Sequence, residues 1–239
     1  MFGRRPFYTF SDADHATWRA LYERQYAAAM QHGARWYREG VARLGLTSAR
    51  IPDFAAVNET LKRVTGWQLV STDVQYTNGQ DWFEALARRE FLITEYIRDR
   101  ADLDYTPMPD IFHDTFGHLP FMAIPRYADF IQRFALHSLD YTQQQRHSLG
   151  NLWWYTIEFG LIVEDGELKA LGAGLLSSYA ELRRVFDGEV EIAPFDIDAF
   201  ETHEQSPHEF HERLFVVDSW EQIERAVEQW TEAHPVPVY

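Results

Sequence analysis

The chain has 239 residues, enough for one or two domains and for burial of a substantial core. A formal net charge of −15 leaves no basic stripe for a nucleic-acid backbone, and the absence of cysteine removes disulfides, thiolate catalysis and sulfur-ligated metal clusters together. Metal ligation is thereby reduced to His, Asp and Glu, while seventeen Phe, twelve Tyr and eight Trp supply aromatic walls of the kind that bind flat rings.

The opening residues, Met1-Phe2-Gly3-Arg4-Arg5-Pro6, lead into polar sequence, and no stretch approaches the ~20 apolar residues that cross a bilayer. The expectation is a cytoplasmic protein with no membrane partner and no nucleic-acid partner. Apolar Trp18, Leu21, Tyr22, Tyr26, Met30, Trp36, Tyr37 and Val41 recur at threes and fours, predicting helix from about Asp12 to Leu44 with Ser11 or Asp12 as cap. After a break at Ile51-Pro52-Asp53, Phe54 to Arg63 predicts a second helix ending near Thr65-Gly66-Trp67. Gln68 to Tyr76 reads as extended, Asn78-Gly79 as a turn, and Trp82 to Arg98 as helix interrupted around Glu90-Phe91.

Pro107 and Pro109 bias the residues before them towards extended conformations, so a new helix is expected near Asp110. Tyr127 to Tyr141, Ser148 to Val163, Leu175 to Phe186 and Trp220 to Trp230 are further helical stretches. Glu164-Asp165-Gly166-Glu167 reads as a tight turn between short extended pieces, and Leu214 to Val217 as a strand. With no repeat and no long linker, the expected fold is mainly α with small β elements, a single domain over residues 1–239.

The chemistry concentrates in His113-Asp114-Thr115-Phe116-Gly117-His118 and in Glu158, forty residues further on. Two imidazoles and one carboxylate can occupy one face of a divalent metal and leave the other positions open, as in non-haem iron(II) oxygenases. On a regular helix five residues turn through about 500°, leaving the two imidazoles ~140° apart, so they converge only where the helix is irregular. Gly117 sits where an irregularity could occur. Zinc-peptidase histidines are four apart with Glu after the first, and neither feature is present.

Glu158 lies in the apolar segment Trp153-Trp154-Tyr155-Thr156-Ile157-Glu158-Phe159, where a carboxylate needs a partner. An arginine or a metal would serve. His203, His208 and His211, in strongly polar surroundings, read instead as a solvated face.

Pro109-Asp110-Ile111-Phe112-His113 through Pro120, Trp154-Tyr155-Thr156-Ile157-Glu158-Phe159-Gly160-Leu161 and Gly172-Ala173-Gly174-Leu175-Leu176-Ser177-Ser178 together resemble the tetrahydropterin-dependent aromatic amino acid hydroxylases. The likeness is nearest to the short bacterial members that hydroxylate phenylalanine. It extends to Asp14-His15-Ala16-Thr17-Trp18, Ile51-Pro52-Asp53-Phe54 and Thr65-Gly66-Trp67-Gln68, nearly the whole chain in order.

The resemblance implies that His113, His118 and Glu158 bind Fe(II). It implies that Arg98 pairs with the α-carboxylate of an aromatic amino acid, assisted by Thr106 and held by Asp110. Pro109, Trp154 and Phe159 match positions lining the substrate's ring pocket, and Ser177 matches a serine that hydrogen-bonds near the first iron histidine. Trp82 and Asp114 match positions that meet the tetrahydropterin, the first by stacking and the second through water, with Trp153 beside them.

Three departures accompany the match: the loop Asp73 to Gln80 is about one residue longer than the bacterial pattern, Trp153 replaces a tyrosine, and Met108 replaces a glutamate. The implied reaction is hydroxylation of phenylalanine to tyrosine with O2 and a tetrahydropterin. A hydroxylase of the same fold acting on tryptophan, another aromatic acid or another ring position, with or without pterin, is the alternative within this chemistry. A metal protein that senses aromatic amino acids is the alternative outside enzymes. A chain without a regulatory or tetramerisation domain is expected, and with it a monomer.

Overall fold

The computed structural model of the chain describes residues 5–74, 77–104, 106, 108–197 and 209–236. Helix α1 (Asp12–His32) opens with a capping box, in which the Ser11 hydroxyl accepts from the Asp14 amide and the Asp14 carboxylate accepts from the Ser11 amide. The helix expected to run to Leu44 is two helices. The chain breaks at Gly33-Ala34, where the Ala34 amide donates to the Ala170 carbonyl, and α2 (Arg35–Leu44) follows. Periodicity could not show this break, because a tertiary hydrogen bond causes it.

α3 (Phe54–Thr65) is capped by Asp53 and closed by Gly66 in the left-handed region, at φ 74. Strand β1 (Gln68–Thr72) comes next. The expected turn at Asn78-Gly79 is the start of α4 (Gly79–Ala87), with the Asn78 side chain accepting from the Asp81 amide. Asparagine serves turns and N-caps by the same local hydrogen bonding, so the two readings compete. The helix predicted to Arg98 ends at Ala87, and β2 (Glu90–Thr94) runs parallel to β1 in the register Gln68↔Glu90 to Thr72↔Thr94. Phe91, Leu92 and Ile93 are all buried, and a strand covered on both faces carries no alternation to read.

The helix expected near Asp110 is present, but its His113–His118 turn is a π-helix that runs into α5 (Leu119–Met122). α6 (Pro125–Leu139) and α7 (Gln143–Trp153) follow, the latter continuing as a second π segment, Trp154–Glu158. The helix predicted to Val163 therefore ends at Glu158. β3 (Leu161–Glu164) and β4 (Glu167–Ala170) form the expected hairpin, with Asp165 and Gly166 at φ 53 and 79.

The expected helix from Leu175 to Phe186 is divided at Ser178 into α8 (Ala173–Ser177) and α9 (Tyr179–Phe186). β5 (Glu191–Pro194), which sequence patterning did not anticipate, is an edge strand ending in proline. β6 (Arg213–Val217) and α10 (Trp220–Ala233) complete the described chain. The four-stranded sheet has the order β4-β3-β6-β5, with β6 parallel to both neighbours.

The architecture is mainly helical with two small sheets, as expected. One buried cluster runs from Trp18 and Tyr37 through Phe112, Phe116 and Phe121 to Tyr127 and Trp220, fixing the helices that carry the histidines. Among the described residues no helix is long and apolar enough to cross a membrane.

Candidate metal centre and its cavity

A π-helix bonds residue i to i+5, so its turn brings side chains five apart onto one face. His113 and His118 use this geometry, which removes the angular problem that the five-residue spacing posed. Their Nε2 atoms face each other at 3.1 Å. Glu158, the last residue of the other π segment, places Oε1 at 3.1 Å from His118 Nε2 and Oε2 at 3.6 Å from His113 Nε2. With bonds of about 2.1 Å, adjacent ligands of an octahedron lie about 3.0 Å apart, so these separations fit one face of a six-coordinate divalent ion. Among the described residues these three form the one cluster of at least three such donors.

α8 packs against both π segments, and glycines permit the approach. A Cβ on Gly117 would lie 2.6 Å from the Ala173 carbonyl oxygen, and one on Gly174 would lie 2.6 Å from Phe159 Cζ. The same packing delivers Ser177 to the first histidine, with its hydroxyl 2.9 Å from His113 Nδ1 and 2.8 Å from the Ala173 carbonyl. A carbonyl only accepts, so the hydroxyl donates to Ala173 and accepts from His113 Nδ1–H. The Nε2 lone pair is thereby turned towards the metal position. Ser177→Ala is expected to weaken divalent-metal affinity about 10- to 100-fold with little change in thermal stability, as measured by cobalt(II) titration alongside a melting curve.

Burial, reinforced by His118, lowers His113 to about 4, so its imidazole is neutral at pH 7. Burial also acts to lower His118, but the Glu158 charge and hydrogen bond outweigh it and raise this pKa above its ordinary value. Burial would raise Glu158; the two histidines and the Trp153 indole N–H, which donates to Oε1 at 2.9 Å, overcome it and hold the carboxyl at about 2. At neutral pH Glu158 is therefore an anion set between two imidazoles, a donor set suited to a divalent cation. Among the described residues no arginine pairs with Glu158; its partners are the two histidines and the Trp153 indole.

The triad opens on a cavity of about 680 Å³, within the range of small-molecule sites. Arg98, Thr106, Pro109, Trp154, Phe159 and Ser177 line it, as do Trp82, Asp114 and Trp153. Asp110 stands behind the wall, fully buried, accepting from Arg98 Nε at 2.9 Å, from Nη2 at 2.8 Å and from the Arg98 amide at 2.9 Å. One edge of the guanidinium fork is therefore fixed, and the other has the donor geometry that a carboxylate can accept from.

Burial tends to raise the Asp110 pKa, but the Arg98 charge and hydrogen bonds from Arg98 and the His113 amide bring it below the ordinary 3.8. Because the folded value is depressed, its stabilisation is present above 3.8 and is lost as pH falls through the folded value. Acid unfolding of the metal-free protein should steepen below about pH 4, and the steepening should be absent in Asp110→Asn; parallel unfolding curves for the two would refute this.

Trp82 is held edge-on by Phe91 and Trp153, at centroid distances of 5.4 and 6.4 Å. Asp114 accepts from the Thr94 amide at 2.8 Å and hydroxyl at 2.9 Å, and burial raises its pKa to about 7. Thr94 was not singled out in the sequence, since nothing distinguishes it from any other strand threonine. Of the loop Asp73 to Gln80, positions 75 and 76 lie outside the described residues.

The reading of the second histidine cluster is corrected at His211. His203 and His208 lie outside the described residues, but His211 is 9% exposed and packed behind Trp154 and Phe159, with Glu181, another unanticipated residue, as its partner. Local polarity misled because the burying groups come from the second π segment, from Phe159 that follows it and from α9, all distant in sequence.

A mainly helical protein that presents two imidazoles and a carboxylate towards an aromatic-walled cavity, with a buried arginine on the same wall, has the site architecture of mononuclear non-haem iron oxygenases. The family described as biopterin-dependent aromatic amino acid hydroxylase matches residues 4–238, and the chain belongs to it. The chain is 36% identical over 222 residues to the phenylalanine-4-hydroxylase of Mesorhizobium japonicum, a match covering 92% of this chain and 80% of that protein. It is similar to the crystal structure of Chromobacterium violaceum phenylalanine hydroxylase with bound iron(III) and 7,8-dihydrobiopterin, with a TM-score of 0.86 at 32% identity, covering 94% of this chain and 82% of that one. Phenylalanine hydroxylase from Legionella pneumophila is similar at a TM-score of 0.84 and 30% identity, covering 96% and 94% respectively.

Proposed function

We propose that the protein is an iron(II)- and tetrahydropterin-dependent phenylalanine 4-hydroxylase, with His113, His118 and Glu158 as the iron ligands. The observation that carries this reading is the presence, in one cavity, of a three-donor metal face and a half-satisfied buried guanidinium fork. One element addresses a metal and the other an amino-acid carboxylate, which together define a site for oxidising an amino acid at a fixed distance from its carboxylate. When bound, iron(II) and the tetrahydropterin supply the oxygen activation and reducing electrons that no side chain provides.

The chain's own residues then bind, orient and exclude water. Arg98, pre-set by Asp110, anchors the α-carboxylate, with Thr106 beside it. Pro109, Trp154 and Phe159 wall in the substrate ring, so it meets the metal face in a fixed orientation. Trp82, Asp114 and Trp153 border the part of the cavity proposed for the pterin. Asp114, with its pKa near 7, can present a carboxyl proton there as well as accept one. Trp153, at a position where the family usually has tyrosine, also steadies Glu158 through its indole N–H.

We further propose a cytoplasmic, monomeric enzyme, one domain over residues 1–239, acting on small molecules and O2. Product analysis with phenylalanine, tyrosine and tryptophan as parallel substrates, with and without tetrahydropterin, tests the assignment. Pterin-dependent tyrosine formation from phenylalanine is expected. Faster turnover of tryptophan, or activity independent of pterin, would move the protein to another reaction on the same site.

A further inference from the structure

Trp154 faces the cavity, and behind it runs a buried hydrogen-bonded chain whose histidine and glutamate lie outside the motif segments quoted above. The Trp154 indole Nε1–H donates to His211 Nε2 at 3.0 Å, and His211 Nδ1 lies 2.8 Å from Glu181 Oε1. The His211 backbone amide donates to the same carboxylate oxygen at 3.3 Å. An indole nitrogen can only donate, so His211 Nε2 must present its lone pair, and the ring proton must sit on Nδ1, facing Glu181. An imidazolium would set one N–H against another.

Glu181 is fully buried, and its Oε2 has no hydrogen-bond partner among the described residues, so His211 satisfies the carboxylate through Oε1 alone. The His211 ring also lies against Phe159, with centroids 4.2 Å apart, while Phe159 contacts Trp154 at 4.7 Å. One histidine therefore backs both rings of the cavity wall. It also ties α9, which follows Ser177, to the π segment that ends at Glu158.

We propose that His211, oriented by Glu181, is a positioning residue that fixes the Trp154 and Phe159 rings and so sets where the substrate ring lies relative to the metal face. The carboxylate orients the imidazole, the imidazole holds the indole, and the indole and phenyl planes define the slot. A ring displaced by roughly 1 Å can lose about 100-fold in rate, so freedom in this wall should appear as poor substrate use rather than poor metal binding. The substrate part of this inference rests on the proposed hydroxylase activity; the hydrogen-bond chain does not.

The experiment compares wild type with His211→Phe, with His211→Phe/Glu181→Gln, which removes the otherwise stranded carboxylate, and with His211→Gln, whose amide can accept from Trp154 and donate to Glu181. For both phenylalanine-containing variants, KM for phenylalanine should rise about tenfold or more, and tyrosine formed per tetrahydropterin oxidised should fall, with cobalt(II) affinity unchanged. The glutamine variant should recover most of both losses. A folded phenylalanine variant with wild-type KM and coupling, or a glutamine variant as impaired as they are, would overturn the proposal.

Whatever the variants do, the wild-type Trp154 indole N–H resonance, assigned with Trp154→Phe, is expected to be shielded from exchange with water. An indole proton exchanging as fast as a surface one would overturn the proposal on its own. Absence of turnover in wild type would instead reject the hydroxylase reading and leave that resonance as the test.

Discussion

Glu158→Gln is expected to lower iron affinity and turnover together, with turnover at limiting iron reduced by more than about 100-fold. The substitution keeps the volume and leaves Trp153 a carbonyl to donate to, so packing survives. It removes the only anion in the donor set, leaving two neutral imidazoles and a neutral amide to hold a divalent cation. Changes to groups that merely support ligands already cost 10- to 100-fold in metal affinity, and loss of an anionic ligand should exceed that. Iron titration followed by single-turnover assay is the check, and undiminished iron affinity with undiminished turnover would remove Glu158 from the metal.

Arg98→Ala is expected to raise the phenylalanine requirement far more than it lowers maximal turnover. Truncating one partner of a buried, hydrogen-bonded charge pair costs about 2–5 kcal/mol, corresponding to roughly 30-fold to several thousand-fold in apparent affinity. The Arg98 and Asp110 side chains are 3% and 0% exposed, so solvent does little to soften the loss. The same truncation strands the Asp110 carboxylate and should reduce folding stability by about 3–5 kcal/mol. Arg98→Ala/Asp110→Asn separates the effects: stability should partly return while substrate affinity does not. An unaltered KM in Arg98→Ala would place the carboxylate elsewhere.

What could be read in advance follows from how local each determinant is. Ser11 announced its helix because a cap is satisfied within three residues. The Asp165-Gly166 hairpin was legible for the same reason. The five-residue separation of His113 and His118 signalled an irregular helix, but whether a bend, an end or a widened turn would resolve it depended on α8 packing against Gly117.

β2 was hidden because burial on both faces erased its alternation, and its partner β1 lies about twenty residues earlier. His211 was misread outright. Glu181 and Trp154, which bury it, sit on other elements 30 and 57 residues away in sequence. Arg98 and Asp110 stand between these extremes. The need of a buried guanidinium for a counter-charge was available from physics, but only the motif match said that Arg98 is buried and which acid it meets.

The most direct single measurement is incubation of the iron(II)-loaded protein with phenylalanine, a tetrahydropterin and ¹⁸O₂, followed by mass analysis of the amino-acid product. The prediction is tyrosine carrying one ¹⁸O atom on its ring, formed in no greater amount than the tetrahydropterin consumed and absent without iron. Unlabelled tyrosine, or no tyrosine despite one iron bound per chain and oxidation of the pterin, would contradict phenylalanine hydroxylation at this site.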